Sequence, residues 1–167
     1  AYENGRGSAG FLAVVNPGTP NEIRVGRVID IPPEVYHLWG DRKTYIAQLE
    51  LLAVFVAIVE LAGLVRRSHG LWCIDNVAAL MALVKGCSGV PSMDQMAKAI
   101  HLGSFSLEAQ AYYEYVESKA NWADEISREG MKGSWAAKNK FTTRHCGVST
   151  LLLRLPSIAI VGVFAFL

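Results

Sequence analysis

The chain has 167 residues, 51% of them hydrophobic, enough for one globular domain with a real core and too few for two full ones. Its net charge of +1 excludes a strongly polycationic binder, so any affinity for nucleic acid must come from local patches. Three cysteines, Cys73, Cys87 and Cys146, without CxxC spacing, speak against a zinc ribbon or a secreted disulfide framework and for a reducing, intracellular compartment.

The opening is polar and Gly-rich, with no basic-then-apolar leader. Gly5, Gly7 and Gly10 lead into a strand over 11–15, which Asn16-Pro17-Gly18 punctuates as a turn. A second strand over 23–29 ends at Pro32-Pro33, so the two form a hairpin. Residues 44–65 are too long for a strand and dense in Leu and Ala, and they read as one helix, apolar nearly all round and therefore buried on most sides. Glu50, Ala53, Ala57 and Glu60 fall on one stripe of it, a carboxylate beside small residues that permit close approach to a sheet.

A compact strand over 71–74 runs straight into Asp75-Asn76 and a helix over 77–85, which Gly86 and Gly89 close. Pro91-Ser92 opens the next helix, reaching 108, with Ser92 as N-cap and Gln95 completing a capping box. A strand over 111–116 and a short helix over 121–129 complete the order β-β-α-β-α-α-β-α, an α/β arrangement of a mixed sheet with helices on its faces.

Residues 131–167 are a different material. All 15 Asp and Glu lie before residue 131, whereas five of the 16 Lys and Arg lie after it. A basic stretch over 131–144 gives way to an apolar tail over 151–167, broken by Arg154 and Pro156. Its uninterrupted run, 157–167, is about half the length of a membrane-spanning helix, so no membrane anchor is expected. The domain is expected to occupy 1–130; if the tail is unrelated sequence appended to it, trimming after Gly130 is expected to leave solubility intact or improved.

The residues that carry chemistry are acids. Glu50 lies among Leu49, Leu51, Leu52 and Val54, where a charge is costly unless paired or bound to a cation. Asp75 ends a buried strand and Asp124 opens the final short helix. Together they would form an oxygen-rich pocket suited to Mg²⁺; alternatively, Glu50 pairs with an arginine and the two aspartates are structural. His101 reads as a helix boundary residue, His145-Cys146 has no partners at ligand spacing, and the Gly-rich opening lacks the strand and Lys of a phosphate loop. Tyr112, Tyr113 and Tyr115 read as sheet packing, with one exposed ring able to stack on a base. Arg66, Arg67, Lys85, Lys98 and Lys119 are phosphate contacts or solvated charges.

Three ordered motifs are more specific than any one acid. Gln48-Leu49-Glu50-Leu51-Leu52-Ala53, then Cys73-Ile74-Asp75-Asn76 with Ala78-Ala79-Leu80 behind it, then Val116 to Arg128 through Asn121-Trp122-Ala123-Asp124, resemble the ribonuclease H-like domains of retroelement reverse transcriptases over about residues 5–130. The resemblance implies an RNase H-like mixed sheet flanked by helices. It implies a two-metal nuclease that cuts the RNA strand of RNA–DNA hybrids, with two Mg²⁺ or Mn²⁺ ions held by Glu50, Asp75 and Asp124 and with the polymerase domain of the same polyprotein as neighbour. Beside the substrate it places Asn76, Lys119 and Asn121; Lys119 is equally a solvated charge and Asn121 equally a helix cap.

The family's first metal-binding Asp comes from an opening strand that is expected to be missing here, since Ala1 and Tyr2 fall just past it and Glu3 lies in the following turn. Low or absent activity is the corresponding expectation unless that Asp is restored. Between Val116 and Asp124 the chain has the short form that resembles retroelement domains, without the longer His-bearing loop of many cellular relatives. The alternative reading is a degenerate, non-catalytic RNase H-like scaffold or nucleic-acid-binding domain of a retroelement polyprotein.

Overall fold

The computed structural model describes residues 2–3, 6–130 and 134–148. Two very short strands, β1 (Tyr2–Glu3) and β2 (Arg6–Gly7), pair antiparallel, so Glu3 is a strand residue rather than a turn residue. β3 (Ala9–Val15) and β4 (Ile23–Asp30) form the expected hairpin, with Ala9 opposite Ile29 and Val15 opposite Ile23. Asn16 and Gly18 in its turn take positive φ of 52° and 73°, a region that suits these two residue types. Next comes a helix that the sequence pattern conceals, α1 (Pro33–Trp39). Pro32-Pro33 does end the strand, but Pro33 also sits in the first helical turn, where no intrahelical bond needs its missing N–H.

α2 (Ile46–Glu60) is buried from Gln48 to Ile58 except at Glu50. The long helix expected to reach 65 breaks at Leu61, whose backbone leaves helical geometry at φ −106° and ψ 15°, and α3 (Ala62–Val65) resumes past it. Gly63, a weak helix former, gives the second piece little strength of its own. β5 (His69–Ile74), α4 (Val77–Lys85), α5 (Pro91–Ser106) and β6 (Gln110–Tyr115) stand where the pattern predicts them. The capping box at Ser92 does not form. The N-cap is Val90, Pro91 takes the first turn, and Ser92 is buried inside it with no hydrogen-bond partner for Oγ. A 3₁₀ turn at Ser118–Ala120 leads to α6 (Ala123–Glu129), followed by α7 (Ser134–Lys138) and β7 (Thr142–Gly147).

The longest sheet is mixed and three-stranded, in the order β3-β4-β7, with β7 parallel to β4 and Val25 opposite Thr142. β5 and β6 make a separate parallel pair, Leu71 opposite Tyr112. Among the described residues β3 and β5 are not paired with each other, and each keeps one edge without a strand partner. The boundary drawn at Gly130 is not where packing stops, because β7 lies beyond it. Thr142 and Thr143 are strand formers, and Cys146 is buried in the core beside Ile29, its strand partner.

α2 and α6 cover opposite faces of the larger sheet. Ala9, Phe11, Val25 and Ile29 share the main core with Leu49, Leu52 and Phe55 of α2. Gly10 and Gly26, which point the other way by strand alternation, lie under Ile126 of α6. A methyl group on Gly10 would stand 2.7 Å from the Arg27 carbonyl oxygen and 3.2 Å from Ile126, so the missing side chain lets α6 lie close. The Ser8 hydroxyl, which donates to the Ser127 carbonyl, fastens the same helix. No helix among the described residues is long and apolar enough to cross a membrane; the apolar tail over 151–167 lies outside them.

Candidate functional site

Glu50 sits one turn into α2, half-buried, the single charged residue between 46 and 59 of a helix that packs on α5 and β3. Asp75 follows the last residue of β5, where the buried Ile74 anchors the strand end, and is also half-buried. The two carboxyl groups meet. Burial raises the Glu50 pKa to about 7, and the Asp75 charge, a hydrogen bond between the two side chains and the Asp124 charge push in the same direction.

Asp124 approaches from α6, on the opposite face of the larger sheet from α2, near enough to act on Glu50 electrostatically. Its Oδ1 accepts from Arg128 Nε at 2.8 Å, one helical turn on. Among the described residues no three His, Cys, Asp or Glu side chains stand close enough together to hold a metal ion. The structure therefore joins Glu50 to Asp75 and leaves Asp124 as a neighbour with a partner of its own. Two hard oxygen donors near enough to act on each other are of the chemistry a divalent cation takes.

The other expected site residues surround this pair or its neighbour. Asn76 is the N-cap of α4, its Oδ1 accepting from Ala79 N at 3.0 Å. Asn121 likewise accepts from Ala123 N at 3.0 Å. With one lone pair of each Oδ1 so used, the Nδ2 groups are the donors these residues could offer a substrate. Lys119 is exposed in the 3₁₀ turn and shares with Asn121, Trp122, Asp124, Arg128 and Trp135 an open groove of about 560 Å³.

Trp122 and Trp135 were not legible as site residues. Trp122 lay within a motif quoted for its acid, and Trp135 lay in the segment set apart as a tail. Their ring centroids are 5.4 Å apart, and the Trp135 backbone N–H donates to Glu125 Oε1 at 2.9 Å. A lone Trp in a basic stretch was the available signal. Two demoted residues have structural partners. His101 Nε2 donates to the Leu83 carbonyl at 2.8 Å, and His145 Nδ1 lies 3.0 Å from Asp30 Oδ1 across the β4–β7 pair. Arg67 is held by Glu108 at 3.2 Å.

No family model, no curated protein and no solved structure matches the chain.

Proposed function

We propose that this chain is the ribonuclease H-type endonuclease domain of a retroelement reverse transcriptase, hydrolysing the RNA strand of RNA–DNA hybrids beside the polymerase domain of the same polyprotein. The observation that carries the reading is the Glu50–Asp75 carboxyl pair, one from a mostly apolar helix and one from the end of β5, with Asp124 adding to its negative field. An apolar helix tolerates such a pair at a cost, and a bound cation is the ligand that removes the cost. The likeness of the three sequence motifs to reverse-transcriptase domains supplies the substrate class in this reading.

In this reading Glu50 and Asp75 would hold Mg²⁺ or Mn²⁺, with Asp124, now paired with Arg128, as the third carboxylate. Two ions held there would activate a water and stabilise the leaving oxygen of a phosphodiester. Burial holds the Glu50 carboxyl protonated to a higher pH than usual, so cation binding there would be coupled to pH. Lys119, exposed beside Asp124, contacts a backbone phosphate, and Asn76 and Asn121 brace the approach through their Nδ2 groups.

The test is metal-dependent cleavage of a labelled RNA–DNA hybrid. It compares this chain, a form supplied with the strand and Asp that the resemblance places ahead of Ala1, and Asp75→Asn in each. Cleavage by the supplemented form, abolished by Asp75→Asn, is the expected result. A second reading is favoured by the Arg128 contact of Asp124 and by the absence of a three-ligand group among the described residues: a non-catalytic scaffold of the same fold. A folded supplemented form that cleaves nothing with either metal establishes that second reading.

A further inference from the structure

We propose that the groove bearing Trp122 and Trp135 binds single-stranded nucleic acid by base stacking, with Trp122 as the platform. The proposal deepens the nuclease reading and rests on it for the class of ligand. Trp122 is 60% exposed, two residues before Asp124. It is not a loose surface ring. Trp135 braces it at 5.4 Å with planes inclined by 41°, Phe141 stacks on Trp135 at 5.8 Å and 29°, and the Arg24 guanidinium lies 5.8 Å above Phe141. The outermost member of this aromatic series is open to solvent, while Phe141 is buried at its inner end. An exposed ring held rigid from behind offers a π-face with little rotamer freedom left to lose on binding.

The charges beside the rings include cations that a phosphate could meet. Lys119 and Arg128 line the same groove with Asp124, Glu125 and Glu129, and Lys138, Lys140 and Arg24, the last paired with Glu22, line a second hollow of about 340 Å³. Two of the groove's acids are already engaged, Asp124 by Arg128 at 2.8 Å and Glu125 by the Trp135 backbone N–H at 2.9 Å. Aromatic platforms flanked by cations bind single strands with little regard to sequence, because every base has a face to stack and every nucleotide a phosphate. Stacking on Trp122 requires an unpaired base, so the occupant is a single strand rather than the interior of a duplex. Because Asp124 lines the same groove, a strand stacked there runs beside the acids proposed to cut.

The experiment measures binding by fluorescence anisotropy, in chelator and at low salt. A labelled oligothymidylate of about 15 nucleotides is compared with an abasic strand of equal length and charge. The full chain carrying Asp75→Asn is the background, with Trp122→Ala and Trp122→Phe added in turn. The oligothymidylate is expected to bind about tenfold more tightly than the abasic strand. Trp122→Ala should erase that preference without moving the unfolding midpoint, and Trp122→Phe should keep most of it. Equal affinity for the two strands, or an unchanged preference in Trp122→Ala, overturns the proposal. The nuclease reading fails separately, when hybrid cleavage is absent while base-dependent binding persists; cleavage without base-dependent binding overturns the stacking proposal alone.

Discussion

Glu50 holds its proton more tightly folded than unfolded, because burial and Asp75 raise its pKa from an ordinary 4.5 to about 7. The sign follows from linkage. This stabilisation is fully present below the unfolded value and is lost as pH rises through the folded one. In metal-free buffer the thermal midpoint should therefore fall between about pH 5 and pH 8, and Glu50→Gln, which keeps a hydrogen-bonding group without the charge, should flatten the fall. Mg²⁺ added at the alkaline end should restore the midpoint of the parent and not that of Asp75→Asn; a midpoint indifferent to Mg²⁺ in both would count against a cation at the pair. At Asn76 the expected effect is purely structural in size: Asn76→Ala removes the α4 cap and should cost about 1 kcal/mol in denaturant unfolding. Glu50 was legible in the sequence because a charge among leucines is a chemical anomaly. The Arg128 contact of Asp124 was not read, although the two stand four apart on one short helix, because such spacing permits an ion pair without requiring one.

At the scale of elements, the position of Asp124 depends on how closely α6 lies on the larger sheet. Gly10→Ala places a methyl group 2.7 Å from the Arg27 carbonyl oxygen of β4 and 3.2 Å from Ile126 of α6, so the hairpin must distort and Ile126 must give way. A loss of about 1–3 kcal/mol is expected on denaturant titration, together with a weaker influence of Asp124 on the Glu50 titration followed by NMR. The end of α2 is tied to the same sheet by Glu60, whose Oε2 takes Arg27 of β4 at 3.4 Å and Arg144 of β7 at 2.8 Å. Arg27 is buried, so Glu60→Gln leaves a guanidinium without its anion. The expected cost is about 2 kcal/mol, below that of a fully buried pair because the Glu60 side chain is 25% exposed. Glu60 was visible on the helix stripe of the sequence. Its two arginines were not, since neither lies near it along the chain.

For the whole molecule, β7 changes what the last part of the chain is for. Trimming after Gly130 removes the parallel partner of β4, a ligand of Glu60 and the ring that stacks on Trp135. The unfolding midpoint should fall by more than any exposed single substitution achieves, the latter staying within about 0.5 kcal/mol; an unchanged midpoint would return the segment to the status of a dispensable tail. Sequence alone determined the hairpin, the buried long helix, the strand that ends at Asp75 and the α/β class. Those features rest on periodicity, turn residues and apolar density, all of which are local. It also singled out the three acids. Tertiary structure decided that Glu50 and Asp75 stand together while Asp124 faces Arg128, that Thr142–Gly147 joins β4, and that two tryptophans from separate segments form one surface. Each of these is a meeting of residues distant in the chain or a choice among partners within reach. Such outcomes are set by the packing of α2 and α6 on opposite faces of one sheet, which no local pattern encodes.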